Sequence, residues 1–343
     1  MRDPIRYLTE AQTRQACDLL DPLAVIREVL VRHAKHEVVL PAEAYLGWTT
    51  PAGASARSIN MPAMVLGREP AAGTKVINAS LDNVDHGLPR ASGLTMVFDV
   101  HTGRITCLMA AAHVSALRTA AVSVASAAEL LRPGARTAAV IGSGVIAESH
   151  VRLLAERLDG IAELAVFDQV PARAAAFVER LRPHLDAHGV HAVVAGSARA
   201  AVDGADLVMP CTTTTTPYIE MSWLRQGAVV VNVSLDDVGP DVVAGCDLLL
   251  VDDWSLVRDD THRLLGRMHR AGELTGPDEV PRQGVPAVHG ELGEVFAGVS
   301  PGRVADDQTI LVNPFGMAVE DVALAGEVFR VARELDLGTL LDR

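Results

Sequence analysis

Two basic residues occur where a charge is costly to bury unless it has a specific partner. Lys75 lies inside an apolar, strand-like run (residues 74–77), and Arg118 lies in a helix-like segment with almost no other charge. A guanidinium among small side chains is suited to two parallel hydrogen bonds to a carboxylate. We therefore interpret Arg118 as a carboxylate-binding residue and Lys75 as a candidate catalytic residue. The alternatives are an ion pair between helices for Arg118 and an outward-facing strand lysine for Lys75.

A glycine-rich segment follows the apolar run at residues 137–141 and precedes a helix-like segment. Its sequence, GSGVIA, matches the GxGxxA pattern of dinucleotide-binding turns. The first glycine makes a tight turn, the second lets the backbone approach a pyrophosphate, and the helix N-terminus offers free N–H groups to phosphates. The residues predicted to contact the cofactor here are Gly142, Ser143, Gly144, Val145 and Ile146.

An acidic residue ends the next apolar run. Asp168 follows residues 164–167 and stands 26 positions after Gly142. A carboxylate there accepts hydrogen bonds from ribose hydroxyls and repels a 2′-phosphate, which favours NAD over NADP. Arg173 lies close enough in sequence to soften that preference. The alternative role for Asp168 is that of a helix N-cap.

Two later strand-like runs end in polar residues. Ligands of open parallel sheets bind outside the carboxyl ends of the strands, so both ends point to the cofactor crevice. Asp237 follows the run that we expect to end at the nicotinamide, and the run of threonines at 212–216 is either a polar loop or a loop that touches the cofactor. Further predicted cofactor contacts at these two ends are Cys211, Thr212, Thr213, Val233, Ser234 and Leu235.

The elements that must position these residues are of two kinds. Residues 11–35 predict two helices, with Asp21 as an N-cap, and residues 37–110 contain short β-rich runs typical of an antiparallel sheet. After a helix at 111–131, continuous apolar strands alternate with helices, which predicts a parallel sheet covered on both faces. Residues 317–335 have the spacing of an amphipathic helix.

The predicted fold class is therefore α/β, with a Rossmann dinucleotide-binding domain and an α+β substrate and dimerisation domain that contains the antiparallel sheet. The expected boundaries assign residues 1–115 and 317–343 to the substrate domain and 116–316 to the Rossmann domain. The β-rich part lacks helices of its own to cover both faces, which predicts a homodimer.

Composition excludes several classes of protein. The net charge of −13 argues against a nucleic-acid surface, which requires a basic stripe. The start, MRDP, lacks an apolar signal core, and no run of 18 apolar residues could span a membrane, so we expect a cytoplasmic protein. The four cysteines form no CxxC pair, and His33 and His36 have no third ligand nearby in sequence, so we expect reduced thiols and no metal site.

Several of these segments together resemble the ornithine cyclodeaminase and mu-crystallin family, over roughly residues 55–335. Stretches around residues 57–63, 90–93, 118–123 and 233–237 look closer to one branch, the N-(2-amino-2-carboxyethyl)-L-glutamate dehydrogenases, which release L-2,3-diaminopropionate for siderophores and peptide antibiotics. The residues that carry the family resemblance are Lys75, Arg118, Thr119, Gly142, Gly144, Asp237, Phe315, Gly316, Glu320 and Asp321.

The resemblance implies a homodimeric, NAD-dependent enzyme that oxidises an amino-acid C–N bond, after which water or an internal amine attacks. It also implies roles for individual residues. Arg57 and Arg118 hold substrate carboxylates, with Arg90 beside them as a further cation, and Lys75 polarises the C=N bond or activates water. Asp237 anchors the amino group and moves protons. Thr119, Phe315 and Gly316 complete the predicted cofactor contacts.

The chain departs from the family pattern at two places. Ala110 stands where the family often has an acid, and the early β-region reads LPAE at 40–43, where cyclodeaminases carry an arginine. Both departures weaken the case for ornithine cyclisation. The alternatives are an ornithine or lysine cyclodeaminase, an alanine-type dehydrogenase, and a non-enzymatic NADH-binding protein of the mu-crystallin type.

Overall fold

A computed structural model describes residues 4–342; the first three residues of the MRDP start lie outside the described part. The chain divides into two compact units, residues 1–118 with 317–343 and residues 119–316. The sequence predicts boundaries at 115/116 and 316/317. The first boundary of the structure lies inside one long helix, between Arg118 and Thr119.

The first unit is built on one sheet with strand order β16-β1-β7-β6-β5-β4-β2, in which β3 also pairs with β4. Its elements are β1 (Ile5–Leu8), α1 (Glu10–Cys17), α2 (Pro22–Ala34), β2 (Val38–Val39), β3 (Ala44–Thr49), β4 (Ser55–Val65), β5 (Ala71–Ser80), a 3-10 turn (Leu81–His86), β6 (Ala91–Phe98), β7 (Ile105–Ala110), the start of α3 (Ala111–Leu130), α11 (Ala318–Glu334) and β16 (Thr339–Leu341).

The sheet is mixed, whereas the sequence predicts an antiparallel one. Strands β2 to β7 pair antiparallel, but β1 pairs parallel with β7, and β16 pairs antiparallel with β1. Parallel partners require a long connection between them, and here that connection contains α1, α2 and five strands. These two short outer strands were not predicted, because four and three residues carry too little periodic signal.

Local signals explain several element ends. The side chain of Asp21 accepts hydrogen bonds from the N–H groups of Leu23 and Ala24, which confirms it as the N-cap of α2. Between β6 and β7, the Asp99 carboxylate accepts from the N–H groups of His101 and Thr102. These bonds hold the turn of the antiparallel β6–β7 hairpin.

Helix α11 packs against β4, β5 and β6 on one face of the sheet. The β4–β5–β6 register places Lys75 between Met61 and Thr95 in this part of the sheet. The first turn of α11, which contains Glu320 and Asp321, is fully buried. The face of β5 that carries Lys75 is therefore part of the interior of this unit.

The second unit is a parallel sheet with strand order β10-β9-β8-β11-β12-β15-β13-β14. Its elements are β8 (Thr137–Ile141), α4 (Val145–Arg157), β9 (Glu163–Phe167), α5 (Pro171–Ala187), β10 (His191–Val194), α6 (Ala198–Val202), β11 (Leu207–Pro210), a 3-10 turn (Met221–Trp223), β12 (Val229–Val231), α7 (Pro240–Gly245), β13 (Leu248–Val251), α8 (Trp254–Asp259), α9 (Leu264–Ala271), β14 (Gly290–Glu291), α10 (Leu292–Phe296) and β15 (Ile310–Val312).

All pairings in this second sheet are parallel, as predicted. Every residue of β11, β12, β13 and β15 is buried, as expected for strands covered on both faces. The chain runs outward from β8 to β10 and then returns to place β11 on the other side of β8. This reversal is the topological switch point at which open α/β sheets bind ligands. No helix among residues 4–342 is long and apolar enough to cross a membrane.

Candidate active site

Lys75 is the centre of a buried charged cluster in the first unit. It is 1% exposed, so its interpretation as an outward-facing lysine is wrong. Its Nζ donates to Asp321 Oδ2 at 2.5 Å and to the hydroxyl of Ser115 at 3.2 Å. A buried lysine requires a charged partner. Here that partner is Asp321 on α11.

Arg118 belongs to the same cluster. Its Nη1 donates to Glu320 Oε2 at 2.8 Å, and its Nε lies 3.3 Å from Asp321 Oδ2. The ion pair between helices, one of the two interpretations of Arg118, is therefore present between α3 and α11. Both acids lie in the first turn of α11, where the helix dipole also stabilises negative charge. A substrate-binding role for Arg118 stays a prediction.

The environment of Lys75 alters its acidity. Burial lowers the pKa of Lys75, Asp321 opposes this effect, and the nearby Arg118 lowers the pKa further. A lysine with a lowered pKa gives up a proton more readily than an exposed one, which is a property of catalytic lysines.

The pairing roles of Glu320 and Asp321 were missed from the sequence. The signal that could have revealed them is two adjacent acids in the first turn of a helix whose other first-turn residues are apolar. Buried acids of this kind require buried basic partners, and Lys75 and Arg118 are the basic residues of the sequence that lie in apolar surroundings.

Arg57 lies close enough to Arg90 for its charge to act on the Arg90 guanidinium. Arg57 is exposed on β4 and lines an open cavity of about 420 Å³. Burial lowers the pKa of Arg90, and the neighbouring charge of Arg57 lowers it further. Neither guanidinium has a hydrogen bond or an ion pair with any residue between 4 and 342. The other residues that line the cavity include Trp48, Ala56, Asn78, Ser80 and Ser92.

The predicted glycine turn lies at the switch point of the second unit. Gly142 has φ +99°, and a Cβ on it would meet the carbonyl oxygen of Cys211 at 2.7 Å, so no other residue fits. Gly144 is the N-cap of α4 and provides no side-chain cap. The first N–H groups of α4 are therefore available to an anion. Gly142 and Ser143 lie between β8 and α4, and Val145 and Ile146 form the start of the helix.

Asp168 is hydrogen-bonded to Ser143 in this turn. Its Oδ2 accepts from the N–H of Ser143 at 3.1 Å and from the Ser143 hydroxyl at 2.6 Å. Its Oδ1 accepts from the N–H of Val170 at 2.9 Å. The N-cap of α5 is Val170, so the N-cap interpretation of Asp168 is wrong. A carboxylate fixed beside the glycine turn fits the ribose of a dinucleotide.

Asp237 is fully buried at the end of the segment that follows β12. Its Oδ1 accepts from the Thr212 hydroxyl at 2.6 Å and from the Tyr218 hydroxyl at 2.9 Å. Burial raises the pKa of Asp237, and the hydroxyls of Thr212, Tyr218 and Ser234 oppose that effect. The group is thus suited to accept a proton. Tyr218 was missed from the sequence, because nothing in the loop pattern shows that its ring returns to Asp237.

The Phe315-Gly316 segment is held by two groups that the sequence did not reveal. Asp252 is fully buried and accepts from the N–H groups of Phe315 at 2.8 Å and Gly316 at 2.6 Å. The guanidinium of Arg263 lies 4.3 Å from the centre of the Phe315 ring and donates to the Phe315 carbonyl. Cation–π stacking and a carboxylate that accepts backbone N–H groups fix this segment after β15.

The remaining predicted cofactor residues lie close to the strand ends of the second unit. The N–H of Cys211 donates to the Ile141 carbonyl at 2.7 Å, and the Ser234 hydroxyl donates to the Pro210 carbonyl at 2.9 Å. Thr213 is exposed in the threonine loop. The other members of the set are Thr119 in α3 and Val233 and Leu235 after β12.

Among residues 4–342 no group of three or more His, Cys, Asp and Glu side chains is arranged to hold a metal ion. The four cysteines are free thiols.

Comparison with known proteins agrees with this arrangement. The chain matches the ornithine cyclodeaminase/mu-crystallin family over residues 20–335. The chain belongs to this family. Relatives of this family member include N-((2S)-2-amino-2-carboxyethyl)-L-glutamate dehydrogenase of Staphylococcus aureus, which is 33% identical over 100% of this chain and 99% of that protein. Alanine dehydrogenase of Archaeoglobus fulgidus is 25% identical over 97% and 96%.

Solved structures of the family have the same fold. The crystal structure of CmnK superimposes with a TM-score of 0.90 at 38% identity, covering 99% of this chain and 98% of that one. The Thermococcus litoralis Delta(1)-pyrroline-2-carboxylate reductase, in complex with NADH and L-proline, has a TM-score of 0.84 at 22% identity and covers 98% and 99%. The predicted fold class is thereby confirmed.

Proposed function

We propose that this protein uses NAD to oxidise N-(2-amino-2-carboxyethyl)-L-glutamate. The substrate, NAD⁺ and water give 2-oxoglutarate, L-2,3-diaminopropionate, NADH and a proton. Membership of the family, and relatives named as dehydrogenases and reductases, support the coarser statement that the chain is an NAD-dependent oxidoreductase acting on an amino-acid C–N bond. The particular substrate is supported by the 33% identical relative and by one feature of the first unit.

That feature is the pair Arg57 and Arg90. The proposed substrate has three carboxylates, whereas ornithine and alanine have one. Lys75 and Arg118 already have two acidic partners, so this cluster by itself does not supply unbalanced positive charge. Arg57 and Arg90 lie near each other without an acidic partner among residues 4–342, one of them half-buried. Asp82 lines the same cavity as Arg57, but neither arginine forms an ion pair with a described residue. Two neighbouring cations without an ion pair are suited to additional substrate carboxylates.

The roles of the remaining residues follow from their chemistry. Arg118 holds the carboxylate next to the reacting carbon, and Lys75, whose pKa is lowered, polarises the C–N group or activates water. Asp237 anchors the amino group and accepts a proton. NAD, when bound, supplies the acceptor for the hydride that leaves the substrate. The glycine turn, Asp168 and the Phe315-Gly316 segment bind and orient it.

The deciding experiment is incubation of the protein with NAD⁺ and candidate substrates, followed by mass spectrometry of the products. Formation of 2-oxoglutarate with diaminopropionate supports the proposal. A cyclic imino acid from ornithine or lysine would support the cyclodeaminase alternative, and pyruvate from alanine the simple dehydrogenase. Absence of NADH formation with every substrate would favour a binding protein of the mu-crystallin type.

We also propose that the protein works as a homodimer, with the sheet of the first unit at the interface. Every residue of β3 is exposed, and three large side chains on it, Tyr45, Leu46 and Trp48, are 66%, 63% and 45% exposed. A contiguous apolar strand of this kind marks an interaction surface. A second copy of the chain is the partner that we expect to cover it.

A further inference from the structure

The two carboxylate oxygens of Asp237 are in different environments. Oδ1 accepts hydrogen bonds from two hydroxyls, those of Thr212 at 2.6 Å and Tyr218 at 2.9 Å. Oδ2 is buried and makes no hydrogen bond with any residue between 4 and 342. A buried carboxylate oxygen without a protein donor is costly, so Oδ2 of Asp237 is available to accept a hydrogen bond from a bound ligand.

The direction of both hydroxyl bonds is fixed. The Thr212 oxygen accepts the N–H of Thr214 at 3.1 Å, which leaves its own hydrogen to point at Asp237. An ionised carboxylate only accepts, so Tyr218 must be the donor in its bond to Asp237. The backbone holds the ring there as well, because the N–H groups of Tyr218 and Ile219 both donate to the Asp237 carbonyl, at 3.0 and 2.9 Å.

We infer that Tyr218 and Thr212 are positioning residues that hold Oδ1 of Asp237, so that Oδ2 is the oxygen that takes the proton from the substrate amino group. Their hydroxyls fix the carboxylate plane and stabilise its ionised form. This inference rests on the proposed proton-accepting role of Asp237 and is independent of which amino-acid substrate the enzyme uses. It also assigns a role to Thr212, the first residue of the threonine run at 212–216.

Other groups near Asp237 do not replace these two donors. Its neighbour Asp236 repels it, but Asp236 is paired with Arg267 at 2.8 Å and also caps α9 through the N–H of Leu264. The Cys211 thiol lies close enough for the charge of Asp237 to raise the pKa of Cys211. The Ser234 hydroxyl also favours the ionised form, but it donates its only hydrogen to the Pro210 carbonyl at 2.9 Å. Removal of the Tyr218 hydroxyl should therefore raise the pKa of Asp237 further.

The experiment compares Tyr218→Phe and Thr212→Val with the wild type. A proton acceptor fails below its pKa, so the acidic limb of the kcat profile should move to higher pH, by about one to two units for a hydrogen bond to a charged group. At its optimum, kcat should fall about 10- to 100-fold in both variants, while KM for NAD stays within about twofold in Tyr218→Phe. Thr212→Ser, which keeps the hydroxyl, should give the same kcat profile against pH as the wild type. Tyr7→Phe, on β1, is the matched control and should change neither the pH profile nor kcat.

A second readout does not need turnover. The infrared band of the protonated Asp237 carboxyl, identified by its absence in Asp237→Asn, should titrate at higher pH in Tyr218→Phe and Thr212→Val than in the wild type. If both variants fold, as judged by circular dichroism, and neither midpoint moves, the inference is overturned. A wild type inactive on the tricarboxylate would count against the proposed substrate, while the infrared titration would still decide the roles of Tyr218 and Thr212.

Discussion

Lys75 and Asp321 are 246 positions apart in the sequence, and their side chains meet at 2.5 Å in the interior of one unit. The lysine comes from the middle of a sheet and the aspartate from the first turn of α11. Arg118 and Glu320 complete the cluster. Two bases and two acids thus share a buried space, and each depends on the others to remain charged there.

Loss of one member should therefore destabilise the protein. Asp321→Asn leaves Lys75 without its 2.5 Å partner, and breaking a buried ion pair from one side costs about 3–5 kcal/mol. Glu334→Gln removes an exposed partner of Arg330 on the same helix and should change the free energy of unfolding by less than about 0.5 kcal/mol. Urea unfolding measures both. Equal effects of the two variants would show that the buried pair contributes no more than the exposed one.

Replacement of Arg57 tests the proposed substrate. Arg57→Ala should lower kcat/KM for the tricarboxylate about 10- to 150-fold, since a charge-assisted hydrogen bond is worth about 1.5–3 kcal/mol. The loss should appear in KM, because a contact remote from the reacting carbon is similar in the ground and transition states. Arg68→Ala, at an exposed arginine between β4 and β5, is the control. Unchanged kinetics in Arg57→Ala, or faster turnover of ornithine, would exclude the proposed substrate and leave the family assignment intact.

Cofactor choice should depend on Asp168. Wild-type enzyme should prefer NAD, and Asp168→Ala should raise KM for NAD and reduce the discrimination against NADP by about 10-fold or more, because the repulsion of a 2′-phosphate is lost. The same change also removes an acceptor of the Ser143 N–H, so it should weaken both cofactors at the pyrophosphate. Asp186→Ala, an exposed acid on α5, is the comparison. Equal use of NAD and NADP by the wild type would contradict the role of Asp168.

Self-association should depend on β3. Trp48→Glu places a charge on the exposed strand and should shift the sedimentation of the protein from dimer towards monomer at micromolar concentration. Val280→Glu changes a side chain that is 84% exposed in the second unit and should leave the dimer intact. A wild type that sediments as a monomer, or a Trp48→Glu variant that stays dimeric, would rule out β3 as the interface.

The features predictable from the sequence were those with a local pattern. The glycine turn depends on residues within six positions, and the apolar runs around it predict a parallel sheet whose switch point lies at Gly142 and Cys211. Strands β1 and β15 were not identified from the sequence. Long strands with alternating or continuous apolar residues, such as β4 and β8, were identified.

The hydrogen-bond and ion-pair partners of the site residues could not be predicted, because each pair joins segments that are distant in the sequence. Lys75 required some acid, but the sequence does not say that Asp321 supplies it. Tyr218 reaches Asp237, and Asp252 reaches Phe315, only after the strands between them have paired. A charged residue in an apolar segment thus predicts that it has a partner. The fold determines which residue that partner is.

The first unit is built from two chain segments, residues 1–118 and 317–343, that are synthesised at different times. Strands β1 to β7 of its sheet are translated early, but α11, which supplies both acids of the charged cluster, is translated after the whole second unit. Domains fold as units during translation, so the second unit, whose chain is continuous, can fold while the first still lacks its final helix. During that interval Asp321 and Glu320 are not available to Lys75 and Arg118, and the face of β4, β5 and β6 that α11 covers is open to water or to chaperones. Completion of the first unit thus follows folding of the second unit, and a chain shortened before residue 318 should be retained by chaperones although its second unit has formed.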